Sequence, residues 1–145
     1  TRTMDWPMFI AGGIFSLAAS LLFVEVFTKY PGKMLSPVRY FWGICYLPLL
    51  FFYMLIANLD VVYRVVHPKM PIKPGIVKVK TRLKSESGRT ALANSITLTP
   101  GTLTVDITDE GYLYIHWINV TATDVEGASS RIVAHFEPLL MKIFD

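Results

Sequence analysis

WPMFIAGGIFSLAASLLFVEVF, residues 6–27, is the stretch that decides the architecture. Its 22 residues carry one charge, Glu25, near the end. A second run, YFWGICYLPLLFFYMLIANL over residues 40–59, has 20 residues and no charge. A bilayer core takes roughly 20 apolar residues as helix, at ~1.5 Å each. Both runs meet that length. They account for a 145-residue composition that is 52% hydrophobic and 17% charged, with mean hydropathy +0.44. An ordinary soluble domain is about 45–50% apolar and about 25% charged. The composition excludes disorder and argues against a wholly soluble protein. A signal peptide would have a shorter apolar region, about 7–15 residues, and a small-residue cleavage site. Here the run is longer and is followed by Thr28-Lys29-Tyr30-Pro31-Gly32. The sequence does not begin with Met, so its natural start is expected to lie further upstream.

The expected organisation is membrane α-helical spans plus a small α+β domain. Residues 1–68 hold two transmembrane helices, about 6–27 and 38–66. Residues 69–75 form a Pro-rich linker, and 76–145 a soluble domain. In the first span Gly12, Ser16 and Ser20 are spaced by four, which puts small side chains on one helical face. In lipid such a face lets helices approach closely, because packing drives association there; small residues are also simply common in membrane helices. Ser36-Pro37 reads as an N-cap followed by Pro at the first helical position. The second span is rich in aromatics, contains Pro48, and continues through Asp60 to Val66 until His67-Pro68 stops it. Glu25 and Asp60 each precede a cation by four residues, Lys29 and Arg64. That order favours local ion pairs at the interface; an intramembrane acid is also an ion-path candidate, and Glu25 is the one here. Lys/Arg residues after the second span (Arg64, Lys69, Lys73, Lys78) outnumber those between the spans (Lys29, Lys33, Arg39). The positive-inside rule then puts the C-terminal domain in the cytoplasm.

In the polar half, Val77, Val79, Thr81 and Leu83 alternate with Lys78, Lys80, Arg82 and Lys84. Period two predicts a strand with one buried face and a basic row opposite. That row suits anionic lipid, an acidic partner or plain solvent. Residues 86–97 read as a helix capped by Ser85, with Leu92 and Ile96 inward. Thr99-Pro100-Gly101-Thr102 is a turn signal. Strands at 102–108 and 112–120 form a hairpin through Asp109-Glu110-Gly111. Ile132, Phe136, Leu139 or Leu140, and Ile143 recur at helical spacing, interrupted by Pro138. The order is β-α-β-β-α around a three-stranded sheet. A core this small needs support, from the chain's own helices or from a partner.

Little in the sequence carries chemistry. Cys45 is the sole cysteine, which excludes a disulfide framework and multi-cysteine metal sites. His67, His116 and His135 lack metal-ligand spacing. No phosphate loop, nucleophile elbow or nucleic-acid motif is present. The expectation is a chain with no active site, metal or cofactor of its own and no nucleic-acid partner.

The run Ala93-Asn94-Ser95-Ile96-Thr97-Leu98-Thr99-Pro100-Gly101-Thr102-Leu103-Thr104-Val105 resembles the hallmark of the E subunit of Mrp-type multisubunit sodium/proton antiporters. Ala57-Asn58-Leu59-Asp60-Val61, Pro74-Gly75-Ile76-Val77, Tyr114-Ile115-His116-Trp117 and Phe136-Glu137 agree with it. Members usually carry a further N-terminal span, which this sequence lacks or starts after. Homologous subunits occur in archaeal membrane-bound hydrogenases and sulfur-reducing complexes, and Val66-His67-Pro68-Lys69 and Glu137-Pro138-Leu139-Leu140 resemble those versions. The resemblance implies a multi-pass accessory subunit that supports assembly and ion transport, with other membrane subunits as partners and membrane lipid around it. The competing reading is a stand-alone membrane-tethered module whose basic strand face, Lys78, Lys80, Arg82 and Lys84, binds anionic lipid or an acidic partner.

Overall fold

The computed structural model describes residues 6–27 and 36–145, the side chains of 24–27 excepted. The chain divides into two compact units, Thr1–Pro37 and Val38–Asp145.

The first unit is built on α1, Trp6–Phe27. Pro7 sits in its first turn, where no helical N–H partner is lost. Every side chain from Trp6 to Phe23 is exposed, and the apolar ones surround the helix on all sides. A helix of that kind has no water-facing side. It is long and apolar enough to cross a membrane.

The second unit opens with α2, Pro37–Val66, a 30-residue helix that starts on the expected proline and ends before His67-Pro68. Pro48 lies inside it. After the linker come β1 (Gly75–Lys80), α3 (Glu86–Leu98), β2 (Thr102–Ile107), β3 (Tyr112–Trp117), α4 (Val125–Ile132) and α5 (Glu137–Phe144). The sheet is antiparallel in the order β1-β3-β2. β2 and β3 form the expected hairpin, and Gly111 takes φ +83° in its turn, a conformation side chains with a Cβ avoid.

Val77 and Val79 stand opposite Ile115 and Leu113, and all four are buried. Leu92 and Ile96 of α3 pack on this inner face with Ile132, Phe136 and Leu140. The Ser85 cap is present: its Oγ accepts from the Gly88 N–H at 3.2 Å.

The C-terminal end differs from the expected β-α-β-β-α order. Two helices replace one. Asp124 caps α4 by accepting from the Gly127 N–H at 2.7 Å, a start that the weak apolar pattern of 125–131 conceals. The chain breaks at 133–136: Pro138 has no N–H to give to a continuing helix, and it sits instead in the first turn of α5. β1 also stops at Lys80, where its partner β3 begins at Tyr112. The in–out alternation nevertheless continues through Thr81 and Leu83, both buried.

Glu137 maintains that continuation. It is 3% exposed. One carboxylate oxygen accepts from the Thr81 hydroxyl at 2.6 Å and from the Arg82 N–H at 2.7 Å; the other accepts from Arg82 Nε at 3.0 Å. Glu137→Ala is expected to destabilise this unit by about 2–4 kcal/mol, because two buried donors lose their acceptor. Arg82→Ala is expected to cost under about 1 kcal/mol, since its side chain is largely solvated. Thermal unfolding followed by tryptophan fluorescence checks both values; equal losses would refute this division of roles.

Candidate functional site: the seam between α2 and the α+β domain

Side chains at residues 39, 42, 46, 49, 53, 57, 60 and 64 recur every three or four positions and so share one face of α2. The α+β domain covers that face. At its start Arg39 donates to the carbonyl of Phe144 at 3.2 Å, a cation at the C-terminal end of α5 where helix carbonyls gather negative charge. Lys142 lies 3.8 Å from the Trp42 ring centroid. Tyr46 is buried among the core residues, and its hydroxyl donates to Ser95 Oγ at 2.6 Å. Ser95 in turn donates to the Ala91 carbonyl. Tyr53 stacks on His135 at 4.1 Å and meets Phe136 edge-on. Near the end Arg64 pairs with Asp60 at 2.7 Å and donates to the Pro71 carbonyl.

Beyond Tyr53 the seam opens into a cleft of about 180 Å³. Asp60 and Ala57 line it from α2; Gly101, Trp117, Arg131 and His135 line it from the domain. The Thr99–Thr102 turn forms part of its wall. Gly101 takes φ +93°, and a Cβ there would lie 3.0 Å from Ile118 and 3.5 Å from Val61 of α2. The hallmark threonines serve the end of α3. Thr99 donates to the Ser95 carbonyl, Thr102 to that of Ile96, and Thr97 accepts from the Thr104 N–H. Thr99 and Thr102 thereby satisfy carbonyls that a helix C-terminus leaves open. Among the described residues no three His, Cys, Asp or Glu side chains are grouped to hold a metal.

The residues singled out from sequence fall elsewhere. Gly12, Ser16 and Ser20 lie exposed on α1, and a Cβ on Gly12 would meet nothing within 4 Å. Glu25 belongs to α1, but its side chain and its expected partner Lys29 lie outside the described residues. Lys78 and Lys80 sit on the outer face of the sheet over the Tyr112 ring, at 3.9 and 4.7 Å. Arg82 is engaged by Glu137, and Lys84 lies past the strand end. His116 is exposed on the outer face between Ile76 and Leu103. Sequence reasoning missed Arg39, Tyr46, Tyr53 and His135. The signal was the stripe of polar-tipped residues on one face of α2, hidden by the apolarity of the helix as a whole.

Two helices are long and apolar enough to cross a membrane, and the second of them is docked on a small α+β domain. The particular family follows from comparison. The family described as MNHE, Na+/H+ ion antiporter subunit, matches residues 1–143, and the chain belongs to it. The E subunit of the Na+/H+ antiporter of Bacillus subtilis is 35% identical over 138 residues, covering 93% of this chain and 82% of that protein. The Alkalihalophilus pseudofirmus counterpart is 51% identical over 85 residues, 57% of this chain and 54% of that one. A chain of the membrane-bound sulfane sulfur reductase, an archaeal respiratory membrane complex, is 48% identical with TM-score 0.83, covering 99% of this chain and 89% of the other. A chain of the Mrp complex from Dietzia sp. is 27% identical with TM-score 0.51, covering 76% and 100%.

Burial in the seam lowers the His135 imidazole from 6.5 to about 4, so the ring is neutral at pH 7. An unfolded chain takes up that proton near pH 6.5, the folded one only near 4. Stability from this group is therefore complete above pH 6.5 and falls as the pH drops towards 4. The melting temperature is expected to decline across that window. His135→Phe, which keeps a ring against Tyr53 and cannot titrate, should flatten the decline; an unchanged slope would remove His135 as its source.

Proposed function

We propose that this chain is a non-catalytic accessory subunit of an Mrp-type sodium/proton antiporter module, free-standing or built into a larger respiratory membrane complex. Its work is assembly: α1 packs among neighbouring subunits, and the domain, on the cytoplasmic side, braces them at the membrane surface. The observation that carries this reading is the likeness, over 99% of the chain, to a chain of an archaeal respiratory membrane complex. The likeness to an antiporter's E subunit over 93% of the chain adds the transport module. The apolar circumference of α1 is compatible with a place among other helices, and the face bearing Gly12, Ser16 and Ser20 permits the closest approach.

The seam supports a structural role rather than a transport path. Asp60 pairs with Arg64, Arg39 with the end of α5, and Lys142 rests on the Trp42 ring. The basic row is also broken up, with Arg82 engaged by Glu137 and two lysines resting on a tyrosine ring. This weakens the stand-alone lipid-binding module.

Gly12→Leu and Ser16→Leu are expected to reduce co-purification of the chain with the complex while leaving the α+β domain folded, because both positions lie on the exposed surface of α1, outside the domain's core. Unchanged assembly with both substitutions would count against α1 packing. Glu25→Gln is expected to leave sodium/proton exchange in membrane vesicles intact. Loss of exchange in a fully assembled complex would put this chain on the ion path instead.

A further inference from the structure

We infer that α2 does not cross the bilayer: it lies along the membrane surface, with its uncovered face seated in the interfacial layer of lipid. The inference rests on the reading of α1 as a bilayer-embedded anchor. The reason is geometric. Contacts with the α+β domain and its linker begin at Arg39 and end at Arg64. Those 25 residue steps span about 38 Å at ~1.5 Å each. The hydrocarbon core is only about 30 Å thick. If α2 crossed it, the domain docked along the whole helix would be carried into hydrocarbon.

The domain cannot go there. Its three-stranded sheet is open, with β1 and β2 as edges. Open edges leave backbone groups that find no hydrogen-bond partner in lipid. Its surface also carries exposed charges such as Lys80, Arg131 and Glu126, which are costly in a bilayer interior. The domain therefore sits in water, and a helix attached to it from end to end lies at the boundary.

The uncovered face of α2 has the chemistry of a lipid seat. Phe41, Ile44, Leu47, Phe52, Leu55 and Leu59 are each roughly half exposed or more, and no charged side chain interrupts residues 40–59. The helix's own charges, Arg39, Asp60 and Arg64, stand at the two ends of the seam with the domain. Tyr40 and Tyr63, both about 60% exposed, flank the apolar face where amphipathic rings suit headgroup depth. An interfacial helix usually presents a charged polar face to water; here the α+β domain takes the place of that face. Pro48, exposed on the uncovered face, lacks the N–H that would bond the Ile44 carbonyl. Interfacial water can satisfy that carbonyl, and hydrocarbon cannot.

This placement also assigns the basic residues. α2 and the helices α3 to α5 share the inner side of the sheet, where Trp117 and Tyr53 line the same cleft. Lys78 and Lys80 occupy the outer side, away from lipid.

The test uses the assembled complex in native vesicles of both orientations, with Cys45→Ser as background. Single cysteines at the ends of α2, Val38→Cys and Val66→Cys, are treated with a membrane-impermeant maleimide. A surface helix gives labelling of both positions in one vesicle orientation and of neither in the other. Labelling from opposite sides overturns the inference. Thr3→Cys and Thr28→Cys, bracketing α1, should label from opposite sides; failure there sinks the anchor reading separately, whatever α2 does. Spin labels at Phe41, Ile44, Phe52 and Leu59 identify what covers the face. High oxygen collision with one shallow depth at all four positions supports lipid. Protection from both oxygen and a soluble nickel chelate means that protein covers the face, and free access of the chelate means water; either result overturns the lipid seat.

Discussion

The insertion of one α2 face into the α+β domain is the constraint on which the second unit depends. A domain of about 70 residues encloses little apolar volume and is marginal alone. Here a helix from outside it supplies the missing layer. Tyr46 is buried among core side chains and reaches Ser95 with its hydroxyl, so its polar tip is satisfied where its ring is needed. Tyr53 closes the layer over His135 and Phe136. The aromatic residues of α2 are thus divided. Trp42, Tyr46 and Tyr53 face the chain's own domain, while Phe41, Phe51 and Phe52 remain open.

That division ties the domain and α2 together. The domain cannot separate from α2 without exposing its core, and α2 cannot leave the domain without stranding Arg39 and Tyr46 from their partners. Its remaining surfaces differ in kind. The outer sheet face is basic at one end, through Lys78 and Lys80, and apolar at the other, through Ile76 and Leu103. The uncovered helix face carries no charge between residues 40 and 59.

Much of the fold was legible one element at a time. Alternation marked β1, a proline-glycine turn marked the entry to β2, and Ser85 marked the start of α3, because each signal is local and follows from backbone geometry. The split of the terminal helix was partly legible in Pro138, whereas the start of α4 was not. Its cap Asp124 precedes Val-Glu-Gly-Ala-Ser-Ser, which presents too few large apolar residues to show a period. The seam was the least legible part. A helix apolar around most of its surface gives no contrast by which a protein-facing stripe stands out from a lipid-facing one.

By itself the sequence determined the class of the protein: two apolar helices long enough for a bilayer, a small alternating domain, and a hallmark run that resembles the E subunit of sodium/proton antiporters. The first two follow from composition, length and local periodicity, and the third from a contiguous run of residues; none needs knowledge of what touches what. Only the tertiary structure decided which face of α2 is covered, that the buried Glu137 accepts from Thr81 and Arg82, and that His135 stacks on Tyr53. Those pairings join residues tens of positions apart, and their energies come from burial and partner geometry that arise only when the distant segments meet.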